Sequence, residues 1–389
     1  MPPIPKVVLM IESSRASGRA LLRGIADYSH QWGPWSFSWE TSGLEKAWPT
    51  LQDGFAKGVI LRDVDKLQNV LACGLPTVVI GHQHTEIPGA VNVVTDSAAI
   101  GRMTAKHLLD CGFQHFAFCG YTEGRDGHAP WSEARGVAFR ARLAEAGFTS
   151  LASFHLPMDP LAWTHRQVAA AAWLRSLNKP VGLFACNDDC GQRVMEICRL
   201  AGLAVPDEVG VIGTDNDEVI CGLMDPPMSS IAMNFQRAGY EAGRALDGLM
   251  RGETSLPMRI VTEATEVVAR RSTDFVAAED PPLRKALRFI RDSARRTASV
   301  SEVAAASGLS RRSLEKSFRN QLGRTILGEI RRVRTDQIAR FLVETDLSVT
   351  QIADALDFPD FQHVARYFRA VKKISPTAFR RFHGRPRRR

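Results

Sequence analysis

Over roughly the first 270 residues the chain alternates short β-branched apolar runs with amphipathic stretches. The runs Lys6–Ile11, Ser36–Glu40, Gly58–Leu61, Thr77–Ile80, His115–Cys119, Gly182–Ala185 and Val209–Gly213 predict strands. Between them, Arg19–His30, Ile100–Cys111, Glu133–Ala146, Arg166–Leu177 and Cys190–Leu200 repeat their apolar positions every three to four residues and predict helices. Steady strand–helix alternation implies right-handed βαβ crossovers and parallel sheets, with ligands held at the carboxyl ends of the strands. There is enough chain for two such lobes. The pattern stops at Asp274-Phe-Val-Ala-Ala-Glu-Asp-Pro-Pro282, which has no period and predicts a linker, and everything beyond it predicts helix. The expected organisation is a two-lobed α/β domain over 1–272, a linker over 273–283, an all-α domain over 284–384 and a basic tail over 385–389.

The helical part contains a near-repeat at a spacing of 49 to 50 residues: Ser299-Val-Ser-Glu-Val-Ala-Ala-Ala-Ser-Gly-Leu309 against Ser348-Val-Thr-Gln-Ile-Ala-Asp-Ala-Leu-Asp-Phe358. Each copy opens with a capping box, Ser299 with Glu302 and Ser348 with Gln351, which satisfies orphan backbone donors at a helix start. Each then turns at Gly308 or Asp357 and begins a second helix after Ser310 or Asp360. Leu314 and Phe318 in one copy, and Val364 and Phe368 in the other, supply that helix with a core face. This is the helix-turn-helix layout, whose second helix enters the major groove. With the apolar face assigned to the core, the opposite face presents Arg312, Glu315, Lys316 and Arg319 in the first copy, with Arg311 a further DNA-binding candidate, and Gln362, His363 and Arg366 in the second. Arginine and lysine donate to guanine O6 and N7, and glutamate accepts from cytosine N4.

Charge sharpens this division. Residues 281–389 carry 25 Lys+Arg against 10 Asp+Glu, a net of +15, so the remaining residues carry −7 of the overall +8. A small domain of that charge neutralises phosphates and releases counterions, so double-stranded DNA is its expected partner. The chain is 389 residues long and 44% hydrophobic, which excludes a low-complexity or disordered protein. No apolar run reaches membrane-spanning length and the N-terminal residues do not read as a secretion signal, so a cytoplasmic location is expected. The seven cysteines follow no disulfide or CxxC spacing and read as reduced thiols. GxSxG, GxxxxGK[ST] and GxGxxG are all absent from the sequence, and His82-Gln-His84 is too weak a pair to imply a metal. Neither enzymatic activity, a cofactor nor a metal is expected. The competing reading, an α/β enzyme acting on carbohydrate, would rest on Asp188, Asp189 and Asp215 as paired carboxylates.

The segments Val349-Thr-Gln-Ile-Ala-Asp-Ala-Leu-Asp-Phe358 and Phe368-Arg-Ala-Val-Lys-Lys-Ile-Ser-Pro-Thr-Ala-Phe-Arg380 resemble the signature of the arabinose-regulator (AraC) family of transcription activators. The resemblance implies two helix-turn-helix units joined by a long helix over about Ile326–Val343. Asp357 and Lys373 stand where that family has glycine; aspartate tolerates the left-handed conformation. Residues 6 to about 271 resemble the periplasmic-binding-protein-like sensors of the lactose and galactose repressor family, through Trp131-Ser-Glu-Ala-Arg135-Gly-Val-Ala-Phe139, Ala185-Cys-Asn-Asp188, Val211-Ile-Gly-Thr-Asp215-Asn and Pro226-Pro-Met-Ser-Ser-Ile231.

That second resemblance implies a ligand held between two lobes by Arg135, Asn187 and Asp215, with Asp188 beside them. Such side chains accept from and donate to vicinal hydroxyls, which suits a sugar. Trp131 is expected over the apolar face of the sugar ring, and Ser13, Arg15 and His82 at the carboxyl edge of the opposing lobe. The full arrangement, including the Arg270–Asp274 junction, resembles xylose-responsive regulators and implies D-xylose or a related pentose as effector, the alternative being a repressor or activator of the same architecture that responds to another monosaccharide. Further expected partners are a second copy of the chain and, for an activator, RNA polymerase.

Overall fold

A computed structural model describes residues 4–40, 51, 54–62, 67–81, 87–123, 127–275 and 281–383. The chain divides into two compact units, Met1–Phe275 and Val276–Arg389. In the first, one sheet takes β1 (Lys6–Met10), β2 (Ser36–Trp39), β3 (Ala56–Arg62), β4 (Thr77–Ile80) and β5 (Val91–Thr95). A second takes β6 (His115–Glu123), β7 (Gly127–His128), β8 (Ala152–Pro157), β9 (Val181–Ala185), β10 (Val209–Asp215) and β11 (Ser229–Met233). Then β12 (Arg259–Thr262) returns to the first sheet and β13 (Ala264–Val268) to the second.

The first sheet runs β12–β5–β4–β3–β1–β2 and is parallel throughout. The second runs β13–β11–β10–β9–β6–β7, with β8 also paired to β6; only the edge partners β13 and β7 are antiparallel. Helices α1 (Ala16–Trp32), α2 (Leu67–Leu71), α3 (Ser97–Asp110), α4 (Pro130–Glu145), α5 (Pro160–Ser176), α6 (Asp188–Ala201), α7 (Glu218–Leu223) and α8 (Phe235–Met250) connect the strands.

The two-residue side-chain period of a strand splits the first lobe's core into two faces. Val7, Leu9, Ile60 and Val78 pack with Leu21, Ile25 and Leu246 of α1 and α8, while Val8, Met10, Val59 and Val79 face the other way. Helices α1 and α8 touch through backbone: a Cβ on Gly24 would lie 1.9 Å from the Gln236 carbonyl oxygen, and one on Gly239 would lie 2.1 Å from that of Leu21. Only glycine permits that approach. In the second lobe Phe113, Phe118, Phe139 and Phe184 are fully buried at the centre of the core.

Among the described residues the chain passes between the lobes three times, after β5, after β11 and between β12 and β13. These crossings are bonded to one another, Asp96 N–H to the Thr262 carbonyl at 3.1 Å and Asn234 N–H to that of Glu263 at 2.9 Å. Asp96 and Asn234 also cap the helices that follow. Crossings of this kind form a natural hinge, because the flanking cores move as bodies and only a few residues absorb the rotation.

The second unit contains α9 (Pro281–Asp292), α10 (Val300–Ser307), α11 (Arg311–Leu322), α12 (Ile326–Glu344), α13 (Val349–Ala355), α14 (Phe361–Lys372) and α15 (Pro376–His383). Two cores divide it, one around Leu287, Val303, Leu314 and Phe318, the other around Ile338, Ile352, Val364 and Phe368. The long helix α12 contributes to both through Ile326 and Ile330 at its start and Ile338 and Leu342 near its end.

The first unit extends past the expected boundary at Ser272. Ser272, Thr273 and Phe275 are buried, and the Phe275 ring stacks on Phe113 with centroids 4.3 Å apart. The polar texture that suggests a linker at Thr273 instead comes from hydroxyls satisfied inside the fold. The long helix begins at Ile326 and runs to Glu344, one residue beyond the expected end.

Candidate ligand cleft and nucleic-acid interface

The carboxyl ends of the two sheets face a cleft enclosing about 150 Å³. Glu12, Arg15 and Arg62 line it from the first lobe, and Asn187, Asp188, Asp189, Asp215 and Asp217 from the second. The strand-to-helix turns put them there. Asn187 ends the turn after β9 and caps α6 by accepting from Cys190 N–H at 2.9 Å. Asp188 is buried, accepting from Asp217 N–H at 2.7 Å and from the Ser230 hydroxyl at 2.6 Å. Burial, and then the charge of Asp215, push its carboxyl well above the usual range.

Asp215 ends β10 at φ +104° and Asn216 follows at +50°, two successive non-glycine residues in the region that favours glycine. Burial lifts the Asp215 carboxyl to about 6. Its nearest cation is buried Arg135, whose Nη2 lies 3.8 Å from Oδ1, too far for a hydrogen bond. Arg135 instead donates from Nη1 to the Cys186 carbonyl at 2.5 Å. Among the described residues, Asp215 Oδ1, Arg135 Nε and Arg62 Nε are buried polar atoms without a hydrogen-bond partner.

The lobes meet directly across this cleft. Arg15 holds Asp189 with Nε to Oδ2 at 3.0 Å and Nη2 to Oδ1 at 2.6 Å, a bidentate pair whose hydrogen bond raises the Arg15 pKa. Beside it Ala16 N–H donates to Asp217 Oδ2 at 2.7 Å. Arg62 pairs with Glu12 at 3.1 Å on the same lobe.

Arg15, Asn187, Asp188 and Asp215 are thus brought together, with Arg135 directly behind Asp215. Trp131 and Ser13 are not among the lining residues. The Trp131 ring lies against the Arg135 guanidinium at 5.1 Å and the Tyr121 ring at 6.1 Å, and the Ser13 carbonyl accepts from Arg19. His82 lies outside the described residues. Sequence reasoning missed Arg62, Asp217 and the pairing of Asp189, which is raised there only as a catalytic carboxylate. Arg62 ends β3 and Asp217 follows β10, so their place at strand ends was the available signal.

In the second unit both capping boxes form, each with its two reciprocal bonds. Ser310 and Asp360 cap the second helices α11 and α14. Along these helices burial follows one pattern at a 50-residue offset: Leu314 and Phe318, then Val364 and Phe368, are fully buried. Arg312, Lys316 and Arg319, like Gln362, His363 and Arg366, are exposed. Arg311 and Glu315 pair with each other at 3.0 Å, and His363 Nδ1 lies 2.9 Å from its own cap Asp360. Gly308 and Gly323 in the first copy have φ of +75° and +63°; Asp357 and Lys373 take +54° and +62° at the matching turns of the second.

The helix α12 carries a residue that sequence reasoning did not single out. Arg334 is buried, with its guanidinium 3.9 Å from the Phe358 ring centroid. It donates to Thr297 ahead of the first repeat and to the Leu356 carbonyl in the second.

A two-lobed cleft domain followed by a basic double helix-turn-helix domain defines a transcription regulator, not an enzyme. Residues 105–273 match the periplasmic binding protein-like domain family, and residues 303–381 match a helix-turn-helix domain family. Along nearly its whole length the chain is similar to the xylose operon regulatory protein of Escherichia coli, at 28% identity over 96% of both chains. It is similar as well to the protein of that name from Haemophilus influenzae, at 26% identity over 96% of this chain and 98% of the relative. A solved structure described as a xylose-binding transcription activator matches 98% of each chain at 26% identity with a TM-score of 0.68. Among the described residues no helix is long and apolar enough to cross a membrane.

Proposed function

We propose that the cleft binds a neutral monosaccharide, D-xylose or a close pentose, and that the occupied sensor controls how the two helix-turn-helix units engage operator DNA. The observation that carries this reading is the set of unpaired polar atoms in and beside the cleft. Asp215 Oδ1 can accept, and Arg135 Nε and Arg62 Nε can donate. A buried polar atom left unpaired costs about 1 to 3 kcal/mol, so a ligand that supplies both kinds of partner recovers that energy. Vicinal hydroxyls do so without carrying charge. The lining carries five carboxyl side chains against two guanidinium groups, which disfavours sugar phosphates and sugar acids. A cavity of about 150 Å³ is of the size that elsewhere admits one small ring, which suits a monosaccharide and not a longer saccharide.

Asn187, Asp188 and Asp215, backed by Arg135, would then surround the sugar from one lobe and Arg15 from the other. On the DNA side, Arg312, Lys316 and Arg319 in the first unit and Gln362, His363 and Arg366 in the second read bases or hold phosphates, with Arg311 and Glu315 completing the first surface. The similar proteins named for the xylose operon, one of them an activator, support D-xylose and positive control. The protein then acts in the cytoplasm as a homodimer, with RNA polymerase as a further partner. Calorimetric titration of the full chain with a panel of pentoses and hexoses tests the ligand; D-xylose is expected to bind, and failure of every neutral sugar would reject the reading.

A further inference from the structure

Two adjacent serines at the start of β11 point to opposite sides of the strand and hold two different networks. Ser230 faces the cleft: it donates to Asp188 Oδ1 at 2.6 Å and accepts from Asn216 N–H at 3.0 Å. Ser229 faces the last segment of the sensor. Its hydroxyl accepts from Arg270 N–H at 2.7 Å and lies 2.7 Å from the Thr273 hydroxyl, while its N–H donates to Ser272 Oγ at 2.8 Å. Thr273 in turn meets Nε2 of half-buried His107 at 2.8 Å. The segment that leads out of the sensor is thus held residue by residue until Phe275.

One side chain joins the two networks. Arg270 donates from Nη2 to the Asn216 side-chain oxygen at 2.8 Å and from Nη1 to the Met228 carbonyl at 3.0 Å. Asn216 directly follows Asp215, the cleft carboxylate, and both occupy left-handed backbone conformations. Such conformations are costly for residues other than glycine and persist only where neighbours hold them. A change in what Asp215 bonds is therefore felt at Asn216, whose remaining anchors are Ser230 and Arg270. Pinning of the exit segment does not by itself call for a bond back to the Asp215 turn, since Ser229, Ser272, Thr273 and Phe275 already provide it.

We propose that Arg270 is the positioning residue that carries the state of the effector cleft, through Asn216, to the segment entering the DNA-binding unit. The proposal rests on the sugar-cleft reading, and its test keeps the two apart. The full chain and its Arg270→Ala and Asn216→Asp variants are titrated with D-xylose by calorimetry, and their operator affinity is measured with and without saturating D-xylose. Arg270→Ala should keep sugar affinity within about threefold while the ratio of operator affinities with and without sugar falls to near one. Asn216→Asp, which tolerates the left-handed backbone and still accepts from Arg270, should keep the wild-type ratio. A wild-type ratio in Arg270→Ala would overturn the proposal. So would a parallel loss of sugar affinity and ratio in that variant, which would mark Arg270 as mere support of the cleft. Wild-type protein that ignores sugar would instead reject the reading of the cleft. In that event hydrogen exchange decides the inference without a ligand: Asp215→Asn should alter protection of the Ser272–Phe275 amides when Arg270 is present and not in the Arg270→Ala background. An equal change in both backgrounds would sink it.

Discussion

If the proposed sugar is held at Asp215, the raised carboxyl there makes its affinity a function of pH. Burial favours the neutral acid, so the folded state holds this proton up to about 6 instead of the usual 3.8. The sign follows from linkage: a carboxyl with a raised folded pKa destabilises the native state progressively as pH rises from about 4 through 6, and fully above that. Two pKa units correspond to about 3 kcal/mol, an upper bound for what a bound hydroxyl can return by donating to Oδ1. If the sugar binds the carboxylate, it lowers the pKa and releases a proton. At about pH 5 only about a tenth of Asp215 is ionised, so the dissociation constant should be about ten times that at pH 7. Calorimetry across this range, in buffers of differing ionisation enthalpy, reads both the affinity and the proton count. Asp215→Asn should flatten the profile, and any residual slope then belongs to Asp188. A flat wild-type profile with no proton exchange would refute the reasoning, even if sugar binds tightly.

Four further outcomes are expected. Replacing Asp189 by Asn removes the lobe-bridging pair with Arg15; because both side chains are partly exposed, sugar affinity should fall only about two- to fivefold and become less sensitive to salt. Asp357→Gly and Lys373→Gly should each raise the thermal midpoint, by about 1 kcal/mol of stability, by relieving left-handed backbone as Gly308 and Gly323 do in the other copy. Arg312→Ala and Arg366→Ala should each relax footprint sequence preference at separate positions, at about 1 to 3 kcal/mol of discrimination; an unchanged footprint for Arg366→Ala would make the second unit a scaffold. Arg334→Ala should lower the unfolding midpoint of the DNA-binding unit by about 2 kcal/mol or more, since it leaves the Leu356 carbonyl unpaired and empties the space beside Phe358.

The helix-turn-helix repeat was legible because each of its signals is local: capping residues, turn and core positions all lie within about 20 residues. The first lobe's strands β1 to β4 were legible for a similar reason, as short apolar runs between clear breaks. Strands β5, β7, β8 and β11 to β13 were not singled out, because partly polar runs such as Ser229–Met233 look unremarkable until neighbouring strands pair with them. In the cleft, Asp215 was legible through its motif, whereas Arg62 offered only its place at the end of a strand, and tertiary assembly brings it to the site. Arg334 was hidden for a plainer reason. An arginine on a long amphipathic helix ordinarily reads as solvated, and only the approach of Thr297, Leu356 and Phe358 shows it to be interior.

That buried arginine also bears on what the protein can tolerate in its binding sites on DNA. Two readers joined by a bare helix could swivel and accept variable gaps between the sequences they contact. Arg334 ties the approach to the first helix-turn-helix unit and the turn of the second to one point on the connecting helix, so if both units read DNA the pair behaves as a fixed gauge. Inserting a single base pair between the two contacted segments rotates one about 35° from the other along B-DNA, with about 10 base pairs per turn. A fixed gauge cannot follow that rotation, so natural sites should vary in sequence far more readily than in spacing.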